Sequence, residues 1–215
     1  MRKLFFLLSA AFFINLSSAQ ENRDSLIQVV KNKIDSLPNG FAISVALLKN
    51  GEIYHIGFIK QGDELVYSDL KDSLFEIGSL TKVFTSTVLA NEVLSGNVKL
   101  TASVNKAFSY KFNDKIKLTY ESLANHTSGM FRLPSNLMPF LFKNQANPYS
   151  EYSYDLFDYY LIKELQIEQN DIPMYSYSNL GAGLLAYSLS NNANLKFESL
   201  LQENIFNKYN MSATG

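Results

Sequence analysis

The chain has 215 residues, 47% of them hydrophobic and 18% charged, enough for one ordinary domain with a packed core. Nineteen basic and twenty acidic residues leave a net charge of −1, so no basic surface for nucleic acid is implied. The absence of Cys excludes disulfide scaffolds, thiolate metal sites and Cys nucleophiles, and two histidines, His55 and His126, are too few for a His-rich metal cluster.

The first nineteen residues read as a secretory signal peptide. Met1-Arg2-Lys3 is a short positive stretch, Leu4 to Leu16 is an apolar stretch interrupted by Ser9 and Asn15, and Ser17-Ser18-Ala19 offers small residues for a cut after Ala19. The apolar run of 13 residues is short of the roughly 20 needed to span a bilayer. With no Cys after it, a lipid anchor at that position is not available. The expected protein, residues 20–215, is therefore periplasmic or secreted, with no stable membrane span after cleavage.

Asp24 to Leu37 has apolar residues at helical spacing and stops at Pro38-Asn39-Gly40. Residues 41–48 and 52–59 read as strands joined by the hairpin turn Asn50-Gly51. His55 lies on the second strand, with no other ligand type nearby in sequence, and reads as an ordinary strand residue. A charged connector follows from Asp63 to Asp72. Leu80 to Leu94 then reads as a largely buried helix that stops at Ser95-Gly96-Asn97.

From Lys99 to Leu118 the chain is polar and irregular. Thr119 to Ala124 is a short helix, and residues 130–150, with three prolines, read as loop. Helices are expected over Asp155–Gln166, Leu180–Ser190 and Lys196–Phe206, with a turn at Tyr175–Asn179. The sum is an α+β opening, residues 24–98, followed by a mostly helical part, residues 99–215.

Ser79-Leu80-Thr81-Lys82 places a hydroxyl and an amine on one helix face. Serine is a poor nucleophile until a base takes its proton, and Lys can be that base where burial favours the neutral amine. The helix start also supplies N–H groups for a developing oxyanion. The tetrapeptide spacing recurs at Ser68/Lys71 and Ser103/Lys106, so spacing alone does not select it. Ser79 is distinguished by a preceding Gly and a buried-type helix behind it, though a plain helix N-cap is an equal reading of the tetrapeptide.

Tyr177-Ser178-Asn179 is the only Tyr-x-Asn among 13 tyrosines. The phenol could relay or accept the Ser79 proton if Lys82 lowers its pKa. Asn179 could hydrogen-bond Lys82 or a substrate amide, or simply cap the following helix. No Gly-x-Ser-x-Gly elbow occurs, and His126 reads as a structural residue ending a helix through Gly129.

Three segments in this order, Phe75-Glu76-Ile77-Gly78-Ser79-Leu80-Thr81-Lys82, Leu123-Ala124-Asn125-His126-Thr127-Ser128-Gly129 and Tyr177-Ser178-Asn179-Leu180-Gly181, resemble the serine β-lactamase-related hydrolases of the class C β-lactamase and penicillin-binding type. The resemblance runs from about Phe41 to the end. It implies an α/β/α sandwich around an antiparallel sheet, with a helical domain carrying the Tyr-x-Asn turn. It implies Ser79 as acylated nucleophile, Lys82 as its partner base, Tyr177 as a second proton-transfer group and Asn179 as a substrate-side amide. Small-molecule or peptide substrates (β-lactams, D-Ala-D-Ala peptides or simple esters) and no metal or organic cofactor are also implied; oligomeric state is not.

One departure stands out. The family's third box, Lys-Thr-Gly or a variant, lies on a strand after the Tyr-x-Asn turn, and none follows here before Thr214-Gly215. The sequence thus resembles the N-terminal part of a longer enzyme. A two-stranded sheet remnant, an incomplete oxyanion hole, weak stability and poor activity of this chain are the expected consequences.

Overall fold

The computed structural model describes residues 24–30, 37–113, 117–167 and 174–215; the expected signal peptide lies outside them. The chain divides into two compact units, one ending at Glu76 and one spanning Ile77–Gly215.

In the first unit, residues 24–30 form helix α1, the described part of the helix expected up to Leu37. An antiparallel sheet follows in the order β1-β2-β3: β1 (Ala42–Lys49), β2 (Glu52–Gln61) and β3 (Glu64–Tyr67). Lys49 pairs with Glu52 across Asn50 and Gly51, both at positive φ, the geometry of a two-residue type I′ hairpin. Val30, Ile56 and Phe58 form a small core, with Leu26, Ile27, Ile43 and Val45 packed against it. His55, opposite Ala46, is exposed, as an ordinary strand residue.

β3 replaces part of the expected charged connector, so the sheet has three strands rather than two. Gln61 pairs with Glu64 over a turn in which the Gly62 N–H bonds Asn39 Oδ1 at 2.9 Å. The strand is four residues long, too short for a visible two-residue period, and it is held by pairing with β2 and by an edge-on contact of Tyr67 with Phe58.

The second unit is helical. A 3-10 turn, Gly78–Leu80, leads into α2 (Thr81–Leu94). Then come a 3-10 turn at Val104–Ala107, α3 (Tyr120–Ala124), a 3-10 turn at Ser135–Leu137 and α4 (Met138–Lys143). Next, α5 (Tyr154–Tyr159) runs on into a wider π turn, Tyr160–Glu164. Last are α6 (Asn179–Ala193) and α7 (Phe197–Leu201), the latter widening over Gln202–Phe206.

Val88 and Leu89 of α2, Leu123 of α3, Leu184, Leu185 and Leu189 of α6, and Leu200 of α7 share one core. This packing groups α2 with the helices that follow it, and sets the N-termini of α2 and α6 on one scaffold.

Two expectations are corrected. α2 is not largely buried: Thr85, Val88 and Leu89 are covered, while Leu80, Val83 and Leu94 are exposed. Its apolar residues occupy two faces, and only one meets the helical core. The 130–150 stretch is not all loop, because Pro139 sits in the first turn of α4, where a missing N–H costs no helical bond. The irregular 99–118 segment contributes buried Val104, Phe112 and Leu118 to the core. Phe108 there packs edge-on to Phe112 and Tyr187, an aromatic cluster with no helical or strand period to announce it.

Candidate active site

Gly78 has φ +53, a left-handed backbone that suits Gly and turns the chain into α2. Ser79 follows in the 3-10 turn, and Lys82 lies one turn further on. Lys82 Nζ is 3.4 Å from Ser79 Oγ. From the far end of the sequence, the Tyr177 hydroxyl comes to 2.7 Å from Ser79 Oγ, and Lys82 Nζ stands 4.9 Å from the centre of its ring. Ser79, Lys82 and Tyr177 thus converge. The competing Ser-x-x-Lys pairs do not share this setting: Ser103 hydrogen-bonds Asn105 Oδ1, and the Lys71 N–H bonds Asp69.

The Tyr177 turn is clamped by residues 126–132. The Ser176 N–H bonds the His126 carbonyl at 2.8 Å, and the Ser178 N–H bonds His126 Nδ1 at 3.3 Å. The Arg132 carbonyl accepts from both Asn179 and Leu180 N–H groups. Buried Ser178, not Asn179, is the N-cap of α6. Its hydroxyl accepts from the Gly181 N–H at 2.8 Å and donates to the Phe131 carbonyl at 2.7 Å.

The phenol of Tyr177 is held below its ordinary pKa, first by hydrogen bonding to Lys82 and then to Ser79, with the Lys82 and Arg132 charges adding to it. Arg132 Cζ lies 5.2 Å from the ring centre. The His126 ring packs 4.8 Å from the same ring, and its pKa is lowered by burial and by Lys82. His126 adopts φ +60, rare for a non-Gly residue, at the end of α3.

Through its ring nitrogen and carbonyl, His126 holds the Tyr177 turn, a contact beyond the helix-ending role the sequence suggests. Arg132 belongs to none of the three sequence boxes; only the fold brings it to Tyr177.

Asn179 opens α6 and lies two residues from Tyr177. Its Oδ1 is buried with no hydrogen-bond partner among the described residues, so the bond from Lys82 to this oxygen that the sequence suggested is not made. Such an orphan acceptor costs about 1–3 kcal/mol.

Residues 32–215 match the Beta-lactamase family, and the chain belongs to it. A relative named "Beta-lactamase" from Providencia stuartii is 29% identical over 189 residues, covering 86% of this chain and 44% of the relative. Among solved structures, a class C beta-lactamase in complex with cefoxitin is 23% identical with a TM-score of 0.63, covering 92% of this chain and 51% of that one. The octameric penicillin-binding protein homologue from Pyrococcus abyssi is 21% identical with a TM-score of 0.65, covering 87% and 42%. These structures share the fold, and the chain spans about half the length of its relatives or less.

Proposed function

We propose that this chain carries the nucleophile-bearing part of an exported serine hydrolase acting through an acyl-enzyme on an amide or ester. Ser79 is the nucleophile, Tyr177 the proton acceptor, Lys82 the cation that favours the phenolate and shares the proton, and Asn179 a substrate-side amide. The observation that carries this reading is the 2.7 Å approach of the Tyr177 hydroxyl to Ser79 Oγ, with Lys82 Nζ beside both. The names of its relatives point to β-lactams or D-alanyl peptides as substrate class; a small ester fits the same chemistry.

Ser79 Oγ attacks the carbonyl carbon and its proton passes to Tyr177. The backbone N–H of Ser79, at the start of α2, supplies one donor to the oxyanion. The C–N or C–O bond to the leaving group breaks, and the proton goes to that group. Water then attacks the Ser79 ester, releasing the acid and restoring the hydroxyl. Export is read from residues 1–19, and no described helix is long and apolar enough to cross a membrane.

A fluorescent penicillin and a fluorophosphonate, applied to the full chain, test this. An adduct on Ser79 by peptide mass spectrometry, lost in Ser79→Ala, is expected. No adduct from either class would replace the enzyme by a non-catalytic binding protein on the same fold.

A further inference from the structure

A cleft of about 780 Å³ opens along the second half of α6, within the helical unit. Its size falls in the range of small-molecule sites. It lies apart from the Ser79 site. At about 1.5 Å of rise per residue, Asn194 is roughly 22 Å down the α6 axis from Asn179. None of Ser79, Lys82, Tyr177 or Asn179 lines the cleft.

One wall is made of rings. Tyr110, Phe108, Tyr187 and Tyr154 follow one another with centroids 5.4, 5.0 and 4.8 Å apart. Asp158 fixes two of them: Tyr110 donates to its Oδ1, and Tyr187 donates to its Oδ2 at 3.4 Å. Tyr154 is 61% exposed, so its ring surface is open to a ligand and gains by being covered.

The rest of the lining is polar. Asn191 and Asn194, both exposed, bring amides that donate and accept, Lys196 brings donors, and Asp158 brings acceptors. Asp158 and Lys196 carry opposite charges and form no ion pair with each other. Their charges cancel over the cleft, so it selects neither a cation nor an anion. A hydrocarbon would cover the amides without replacing their hydration. Both surfaces are met by a neutral molecule with bare C–H faces and hydroxyl edges. A sugar with equatorial hydroxyls has that form. Its hydroxyls lie around the rim, and the slightly positive C–H bonds on its faces suit the negative face of an aromatic ring.

We propose that this cleft binds a neutral oligosaccharide of equatorial-hydroxyl (gluco) configuration. A C–H face of the sugar lies on Tyr154 and Tyr187, and its hydroxyls meet Asn191, Asn194 and Asp158. The cleft binds and does not catalyse, and the proposal holds whether or not Ser79 is a nucleophile.

The test titrates the full chain calorimetrically with cellotetraose, with tetra-N-acetylchitotetraose and with choline. Saturable binding of at least one of the two sugars, with Kd below about 1 mM, and none of choline is expected. Tyr154→Ala, at an exposed ring, should weaken the sugar about fivefold or more. Asn194→Gly should weaken it about threefold or more. Asn194 sits at φ +52 after α6, where Gly keeps the backbone and loses only the amide, so this variant carries the comparison if Tyr154→Ala does not fold. Ser79→Ala should bind the sugar as the unaltered chain does.

No binding of either sugar, or binding that both cleft variants leave unchanged, overturns the proposal. Choline bound in place of the sugars and lost in Tyr154→Ala overturns it in favour of a cation site. Sugar binding lost in Ser79→Ala overturns it by moving the sugar to the Ser79 site.

Discussion

Tyr177 is where the electrostatics of the site concentrate. Lys82 and Arg132 face its ring and the Ser79 hydroxyl meets its oxygen, and each favours the phenolate. A lowered phenol pKa means the proton leaves at lower pH, so an activity that needs the phenolate rises on a limb below the ordinary value of about 10. Lys82→Met removes the largest cause. The limb should move to higher pH and the rate at neutral pH should fall about 10²–10⁴-fold, as a pH–rate profile would show. The pKa of His126 is lowered as well, by burial and by Lys82. Its native pKa lies below its unfolded value, so the native state binds fewer protons and stability falls as pH drops below about 6.5. Protonation would also put a hydrogen on Nδ1, which now accepts from the Ser178 N–H. In His126→Asn, which tolerates the left-handed backbone, thermal unfolding midpoints between pH 7 and 5 should lose this slope.

At the scale of elements, the site depends on how α6 begins. Ser178 caps α6 and ties it to the Phe131 carbonyl, while the Arg132 carbonyl holds the next two N–H groups. Ser178→Ala removes both side-chain bonds at a buried position and should cost about 1–3 kcal/mol by urea denaturation. The unfolding slope with denaturant should not change. Activity should fall further than stability requires, because Tyr177 and Asn179 flank the capping residue. α3 begins with a capping box between Thr119 and Ser122, and ends where His126 turns left-handed. Short helices of this kind hold their ends by local side chains rather than by length.

At the scale of the whole molecule, the chain is two units with the boundary after Glu76. Residues 71–77 are exposed and carry no helix or strand, the condition in which proteases cut first. Limited trypsin digestion should cleave early after Lys71, and intact-mass spectrometry should find a fragment beginning at Asp72; an early cut after Lys82 within α2 instead would count against this division. The sequence alone determined what local chemistry encodes: the Asn50-Gly51 hairpin, the helical runs, and three boxes in the order that marks the family. Ser79 and Lys82 were legible because one helical turn of spacing brings them together whatever else the chain does. Only the tertiary structure decided that Tyr177 reaches Ser79, that His126 and Arg132 surround it, that β3 joins the sheet and that Tyr110, Tyr154 and Tyr187 line one cleft. These are contacts between residues far apart in the chain, or pairings of segments too short to show a period, and no local pattern carries them.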